Sequence, residues 1–191
     1  PHFNLLDRFL VMLERKEIPV VLCFNKKDIA TSPEIAELEA IYEKCGYPIV
    51  FTSALEQENI EEIRRLLLKK TTAIAGPSGV GKSSLINLLQ NQVQMETGTI
   101  SRKIERGKHT TRHSELIAVD ADSYIMDTPG FSSLYVNDFE KEELKYYFRE
   151  FASYEGQCRF QGCDHVHEPG CAVKEALEDG KIHPVRYKNY L

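Results

Sequence analysis

The sequence predicts an α/β fold followed by a small helical unit stapled by a metal, and three observations predict it. Gly76-Pro77-Ser78-Gly79-Val80-Gly81-Lys82-Ser83 fits the phosphate-loop pattern GxxxxGK[ST], between a strand-like run at 71–75 and a helix-like run at 84–89. Upstream, two apolar, β-rich runs at 18–24 and 47–51 each end in a polar box. Near the end, Cys158-x4-Cys163-x-His165-x5-Cys171 gathers three thiols and an imidazole. The expected division is residues 1–137 for the α/β domain and 138–191 for the metal-bearing unit.

The glycine loop comes first in the argument because strand, loop and helix together separate a phosphate site from a chance match. Gly76, Gly79 and Gly81, with Ser78 and Val80 between them, let backbone N–H groups turn inward around phosphate oxygens. The helix N-terminus at Ser83 and Ser84 adds its partial positive charge. Lys82 is expected to reach the β- and γ-phosphates, and the Ser83 hydroxyl to hold Mg²⁺. A nucleoside triphosphate is the predicted ligand.

The run at 18–24 reads as a strand buried on both faces. It ends in Asn25-Lys26-Lys27-Asp28, an NKxD box. The Asp28 carboxylate can accept hydrogen bonds from guanine N1–H and N2–H₂. Adenine offers neither donor there, so a buried carboxylate would stay unpaired. The Lys26 stem is expected to pack on the base plane, and Asn25 to tie neighbouring loops together. After the strand at 47–51 come Thr52-Ser53-Ala54, resembling the SA box whose N–H groups meet guanine O6. Ser53 and Ala54 therefore join the nucleotide set, and the ligand is GTP or GDP.

A strand at 123–126 leads into Asp127-Thr128-Pro129-Gly130, a DxxG box. Asp127 is expected to orient Mg²⁺ through water, and the Gly130 N–H to meet the γ-phosphate. Between the two boxes lies Arg106-Gly107-Lys108-His109-Thr110-Thr111-Arg112, where a switch loop should sit. Thr111, with Thr110 as the alternative, would close over Mg²⁺ and the γ-phosphate until hydrolysis releases it. A plain surface threonine is the competing reading. Phe131 stands where Ras-like GTPases often place a water-orienting Gln, so hydrolysis is expected to be slow alone. His109 is the internal candidate for ordering or deprotonating water, and loop anchoring is its alternative role.

A Ras-like GTPase runs phosphate loop, switch threonine, DxxG, NKxD, SA. Here the order is NKxD, SA, phosphate loop, switch threonine, DxxG: a circular permutation. The join falls at 58–70, where Ile60, Ile63, Leu66 and Leu67 have helical spacing. Such a join is tolerable because domain termini often lie close together. Its consequence is that the segment after Gly130 runs straight into the second unit.

That unit should open with an amphipathic helix at 139–151, carrying Phe139, Leu144, Tyr147, Phe148 and Phe151. Zn²⁺ favours a tetrahedral Cys₃His shell, and four protein ligands make a structural site. So short a segment builds little core, and metal would substitute for it. Free thiols or disulfides are the alternatives. His167 is the competing imidazole and is expected at the surface.

These motifs resemble the RsgA (YjeQ) family of bacterial small-ribosomal-subunit biogenesis GTPases. The resemblance rests on GPSGVGKS at 76–83, Gly107-Lys108-His109-Thr110-Thr111, Asp127-Thr128-Pro129-Gly130-Phe131, Glu168-Pro169-Gly170-Cys171 and the permuted order. It implies GTP hydrolysis stimulated by the 30S subunit, contact with its rRNA, and a checkpoint role late in maturation. That family usually carries an N-terminal OB-fold, to which nothing here corresponds, so the chain is expected to be a fragment.

Acidic residues outnumber basic ones, 29 to 24, for a net charge of −5, which argues against a general nucleic-acid binder. Arg102, Lys103, Arg106, Lys108 and Arg112 still form a local basic stretch, fit either for RNA phosphates or for steering GTP inward. No stretch reaches membrane-spanning length and no signal peptide is visible. Five cysteines, three in a metal pattern, suit a reducing cytoplasm, and a monomer is expected. The competing functional class is a GTP-dependent RNA- or ribosome-binding module whose hydrolysis is incidental.

Overall fold

The computed structural model describes residues 2–97, 115–127 and 140–191. Helix α1 (Phe3–Arg15) starts where His2 accepts the Leu5 N–H, and it buries Asp7, Leu10 and Val11. It ends in a reversal: Glu17 takes φ +54°, Glu17 N–H bonds Glu14 O, and Ile18 N–H bonds Leu13 O. This six-to-one and five-to-two pair consumes the residues after the helix. Pro19 adds no donor. Strand β1 is therefore Leu22–Phe24, shorter than the apolar run.

Helix α2 (Ser32–Tyr42) has no counterpart in the motif reading. Glu34 accepts the Thr31 N–H at 2.8 Å in a capping box, with proline in the first turn. Strand β2 (Ile49–Phe51) pairs with β1 in a two-stranded sheet. Helix α3 (Ile60–Leu67) buries Ile60, Ile63 and Leu67, as the helical spacing requires. Strand β3 (Thr71–Ile74) leads through the glycine loop to helix α4 (Lys82–Thr97). Strands β4 (Glu115–Asp120) and β5 (Ser123–Asp127) form an antiparallel pair, and β3 lies parallel to β5 on its other side.

Of the helix expected over 139–151, Phe139 lies outside the described residues, and the described part holds two 3₁₀ segments, Lys141–Tyr147 and Arg149–Tyr154. Phe148 between them is extended (φ −99°, ψ 97°), which turns its ring into the core against Phe151 at 5.3 Å. Helices α5 (Ala172–Glu178) and α6 (Pro184–Tyr190) complete the described chain. None of the described helices is long and apolar enough to cross a membrane.

Contacts divide the chain into two compact units. One comprises Cys23–Ala30 and Val50–Ser132, with a core of Val50, Ile60, Ile63, Leu85, Leu89 and Ile125 among others. The other comprises Pro1–Leu22, Thr31–Ile49 and Ser133–Leu191, with Val11, Phe148, Phe151, Val173, Ile182 and Tyr190 in its core. The 137/138 division read from the motifs follows chain order, whereas these units follow packing. Inside the second unit, Arg186 is fully buried and pairs with two buried carboxylates. Its Nη1 lies 2.5 Å from Asp7 Oδ1, and its Nε donates to Glu150 Oε1 at 2.7 Å. Asp7 also accepts from Tyr42 and Asn189.

Candidate nucleotide site and metal centre

The parallel pairing of β3 with β5 places the carboxyl ends of both strands at one level, with Ile74 opposite Asp127. Ligand sites of open α/β sheets lie at this end of parallel strands. The glycine loop leaves β3 there, and Asp127 closes β5 there. Gly76 is buried, and Gly79 and Gly81 have φ of +79° and +98°, a region other residues rarely adopt. A Cβ on Gly81 would also run into Asn25 Nδ2. Helix α4 begins at Lys82, so Ser83 and Ser84 sit exposed in its first turn. Leu85, Ile86 and Leu89 anchor the buried side of that helix. Lys82 Nζ donates to the loop's own carbonyls, Gly76 O at 2.7 Å and Pro77 O at 2.9 Å.

Asn25 is the joint of this site. Its Nδ2 donates to Val80 O at 3.0 Å. Its Oδ1 accepts from Ala54 N–H at 3.0 Å and from the Thr52 hydroxyl at 3.3 Å. One side chain thus touches the glycine loop and the SA segment while belonging to the NKxD box. Lys26 sits exposed with φ +70°, and the chain then turns through a 3₁₀ segment, Lys27–Ile29. Backbone bonds Lys27 N–H to Thr52 O (2.9 Å) and Thr52 N–H to Phe24 O (2.8 Å) hold the two boxes side by side. The exposed Asp28 accepts from the buried Ser53 hydroxyl at 2.5 Å, and Lys27 pairs with Glu58. Ser53 was expected to act through its backbone. Its side chain has a second task, orienting the Asp28 carboxylate, and a serine in an SA box carries no sequence mark of that partner.

Hard cations take oxygen ligands. The Ser83 hydroxyl at the first turn of α4 and the Asp127 carboxylate at the end of β5 are oxygen donors that suit Mg²⁺. His109, Thr110, Thr111, Gly130, Phe131 and the basic stretch at 102–112 lie outside the described residues.

The donor atoms of Cys158, Cys163, His165 and Cys171 lie within 4.8 Å of one another. Cys158 Sγ is 3.6 Å from His165 Nδ1 and 4.0 Å from Cys171 Sγ, and His165 Nδ1 is 3.3 Å from Cys171 Sγ. Tetrahedral zinc with bonds of about 2.3 Å to sulfur and about 2.05 Å to nitrogen requires edges of about 3.8 and 3.6 Å. The donor set fits that ion. None of the five cysteines, all among the described residues, is in a disulfide, and His167 is exposed outside the cluster. Burial pushes the Cys163 thiol up to about 12, while the His165 N–H pulls it the other way. Burial, then the Lys145 charge, holds the His165 imidazole below its ordinary range, in the neutral form that ligates.

Two residues beside the cluster stand outside the predicted ligand set. Lys145 is buried and donates to Cys163 O at 3.0 Å, with Asp164 Oδ1 at 3.3 Å. The Glu168 carboxyl is held down to about 2, first by the Asp164 N–H, then by its own N–H and those of Val166 and His167. Glu168 carried a signal, lying three residues after a ligand histidine and just before Pro169. Lys145 carried none, because its partners lie 18 and 19 residues away.

A family model described as RsgA GTPase matches residues 1–137. The small ribosomal subunit biogenesis GTPase RsgA of Agathobacter rectalis is 61% identical over 190 residues, covering 100% of this chain and 63% of that protein. The crystal structure of YjeQ from Thermotoga maritima matches with a TM-score of 0.80 and 42% identity, covering 100% of this chain and 64% of that one. YloQ, described as a circularly permuted GTPase, matches with a TM-score of 0.76 and 38% identity, covering 98% of this chain and 60% of that one. The chain thus spans 60–64% of the length of these relatives.

Proposed function

Because the chain belongs to the RsgA GTPase family, we propose that it is a GTP-hydrolysing switch in late maturation of the small ribosomal subunit. The observation that carries the nucleotide reading is Asn25, which joins the NKxD box, the SA segment and the glycine loop in one site. Asp28, oriented by Ser53, then reads the guanine N1–H and N2–H₂ edge, and the stem of Lys26 covers the base. The N–H groups of 78–84 receive the phosphates, and Lys82 leaves its two carbonyls for the β- and γ-phosphate oxygens.

Ser83 and Asp127, with Thr111 from the switch, are the residues that would hold Mg²⁺, which supplies charge neutralisation at the phosphates. The Gly130 N–H contacts the γ-phosphate. His109 orders the water that attacks the γ-phosphorus as the bond to the β–γ bridging oxygen breaks, giving GDP and phosphate. Phe131 supplies no polar group for that water, which supports a need for stimulation by a partner. The name of the Agathobacter rectalis relative supports the small ribosomal subunit as that partner, and the contact proposed here runs through its rRNA.

Residues 1–137 form the nucleotide domain and 138–191 the unit that Cys158, Cys163, His165 and Cys171 staple with structural zinc. The protein works in the cytoplasm as a monomer. The test is GTP turnover, with ATP as control, with and without purified 30S subunits, on this chain and on a version extended at its N-terminus. GTP-specific stimulation supports the switch. GTP-dependent docking on 30S subunits without stimulation in either version would replace it with a binding module whose hydrolysis is incidental.

A further inference from the structure

We propose that Glu168 is a positioning residue of the metal centre, whose carboxylate clips the loop bearing Cys163 and His165 into ligating shape. The inference rests on the zinc reading given above. Glu168 Oε1 accepts the Asp164 N–H at 2.8 Å, and Oε2 accepts those of Val166 and His167, each at 3.0 Å. Three donors from five residues of chain therefore converge on one side chain, as they converge on a bound anion in a backbone nest. At their centre His165 has φ +60°, a left-handed conformation that a non-glycine residue holds only when its surroundings impose it.

The carbonyls of the same loop are held from the other side. Lys145 donates to Cys163 O at 3.0 Å, Tyr190 to Asp164 O at 2.5 Å and Tyr187 to His165 O at 2.5 Å. Glu168 is the sole holder of the three N–H groups among the bonds described. Pro169 restricts the backbone of the residue before it to extended conformations, which helps aim the carboxylate back into the turn. Glu168 is not itself one of the four clustered donors. Its effect on the metal runs through where it places Cys163 Sγ and His165 Nδ1 relative to Cys158 and Cys171. A glutamine in its place keeps one acceptor oxygen and turns an NH₂ group toward backbone donors.

The experiment measures the zinc content of the whole chain, then its zinc affinity by competition with a chromophoric chelator. The parent is compared with Glu168→Gln, Glu168→Asp and an exposed control, Glu39→Gln. Loss of a hydrogen-bond partner behind the ligands should weaken zinc binding by about 10- to 100-fold. Glu168→Asp, whose shorter reach cannot span all three donors, should also lose affinity, and the control should match the parent. Cobalt-substituted protein supplies the readout that a merely structural role would not move. The ligand-field bands should weaken or shift in Glu168→Gln. Affinity within twofold of the parent and an unchanged cobalt spectrum, even with a lowered melting temperature, overturn the proposal. If Glu168→Gln does not accumulate, Glu168→Asp decides by the same criterion. A parent without zinc removes the underlying zinc reading, and that outcome is distinct from a zinc-loaded parent whose variants bind equally well.

Discussion

Replacing Asn25 by alanine should uncouple the parts of the nucleotide site without unfolding the unit that contains it. The side chain makes two well-formed amide bonds at 3.0 Å, to Val80 O and from Ala54 N–H, and a longer one at 3.3 Å from the Thr52 hydroxyl. A typical hydrogen bond contributes about 1 kcal/mol net, so the three together organise the loops by roughly 2–3 kcal/mol. The glycine loop and the SA segment must both be in place before a nucleotide binds. The loss therefore appears as weakened affinity, and at 1.4 kcal/mol per tenfold it predicts about a 30- to 150-fold rise in Kd for GDP. Asn25→Asp separates the contributions. It keeps acceptors for Ala54 and Thr52 but sets a carboxylate against the Val80 carbonyl. The assay is titration with a fluorescent GDP analogue, with circular dichroism to verify the fold. A Kd within threefold of the parent for Asn25→Ala would refute the claim that this side chain joins the site.

Asp28→Asn should shift preference from guanine toward xanthine nucleotides, since a carboxamide can donate to the xanthine carbonyl; competition binding with both diphosphates would expose an unchanged preference. Arg186→Met removes the cation between Asp7 and Glu150 and should cost about 3–5 kcal/mol in chemical denaturation, the usual penalty for orphaning one side of a buried pair. Adding Asp7→Asn and Glu150→Gln to that variant should restore part of the loss, and no restoration would point to lost packing instead. Burial first, and then the Asp7, Glu14 and Asp164 carboxylates, push the phenols of Tyr42, Tyr47 and Tyr190 well above their ordinary value of 10.0. With a raised folded value, their contribution to stability is intact below pH about 10 and is lost as pH climbs above it. Phenolate absorbance should then show these tyrosines titrating together with unfolding. A smooth titration of all nine near the ordinary value would contradict their burial.

Much of this protein was legible in its sequence because the relevant physics is local. A glycine loop reaches phosphate through its own backbone, so the pattern at 76–83 points to a phosphate site without knowledge of any neighbour. The same holds for Cys158, Cys163, His165 and Cys171, whose spacing lets fourteen residues bring four donor atoms of metal-ligating type together. The permuted order of the boxes is a property of the string alone. Element lengths were less legible. The apolar run at 18–24 contains only a three-residue strand, because the reversal after α1 uses its first residues. The amphipathic pattern at 139–151 is interrupted at Phe148, whose extended backbone separates the two 3₁₀ segments and whose ring is buried in the core.

The identity and order of the nucleotide boxes and the clustered Cys/His donors can be read from the sequence by itself, since each pattern is made of neighbours within a few residues. The tertiary structure alone decided which distant residues complete them. Asn189 meets Asp7 across 182 positions, Asn25 meets Val80 across 55, and Lys145 meets Cys163 across 18. An asparagine, a lysine or an aspartate has no pattern of its own that names such a partner. Burial selects it, because a polar group taken out of water must find its bond wherever the packed chain has brought a complementary atom.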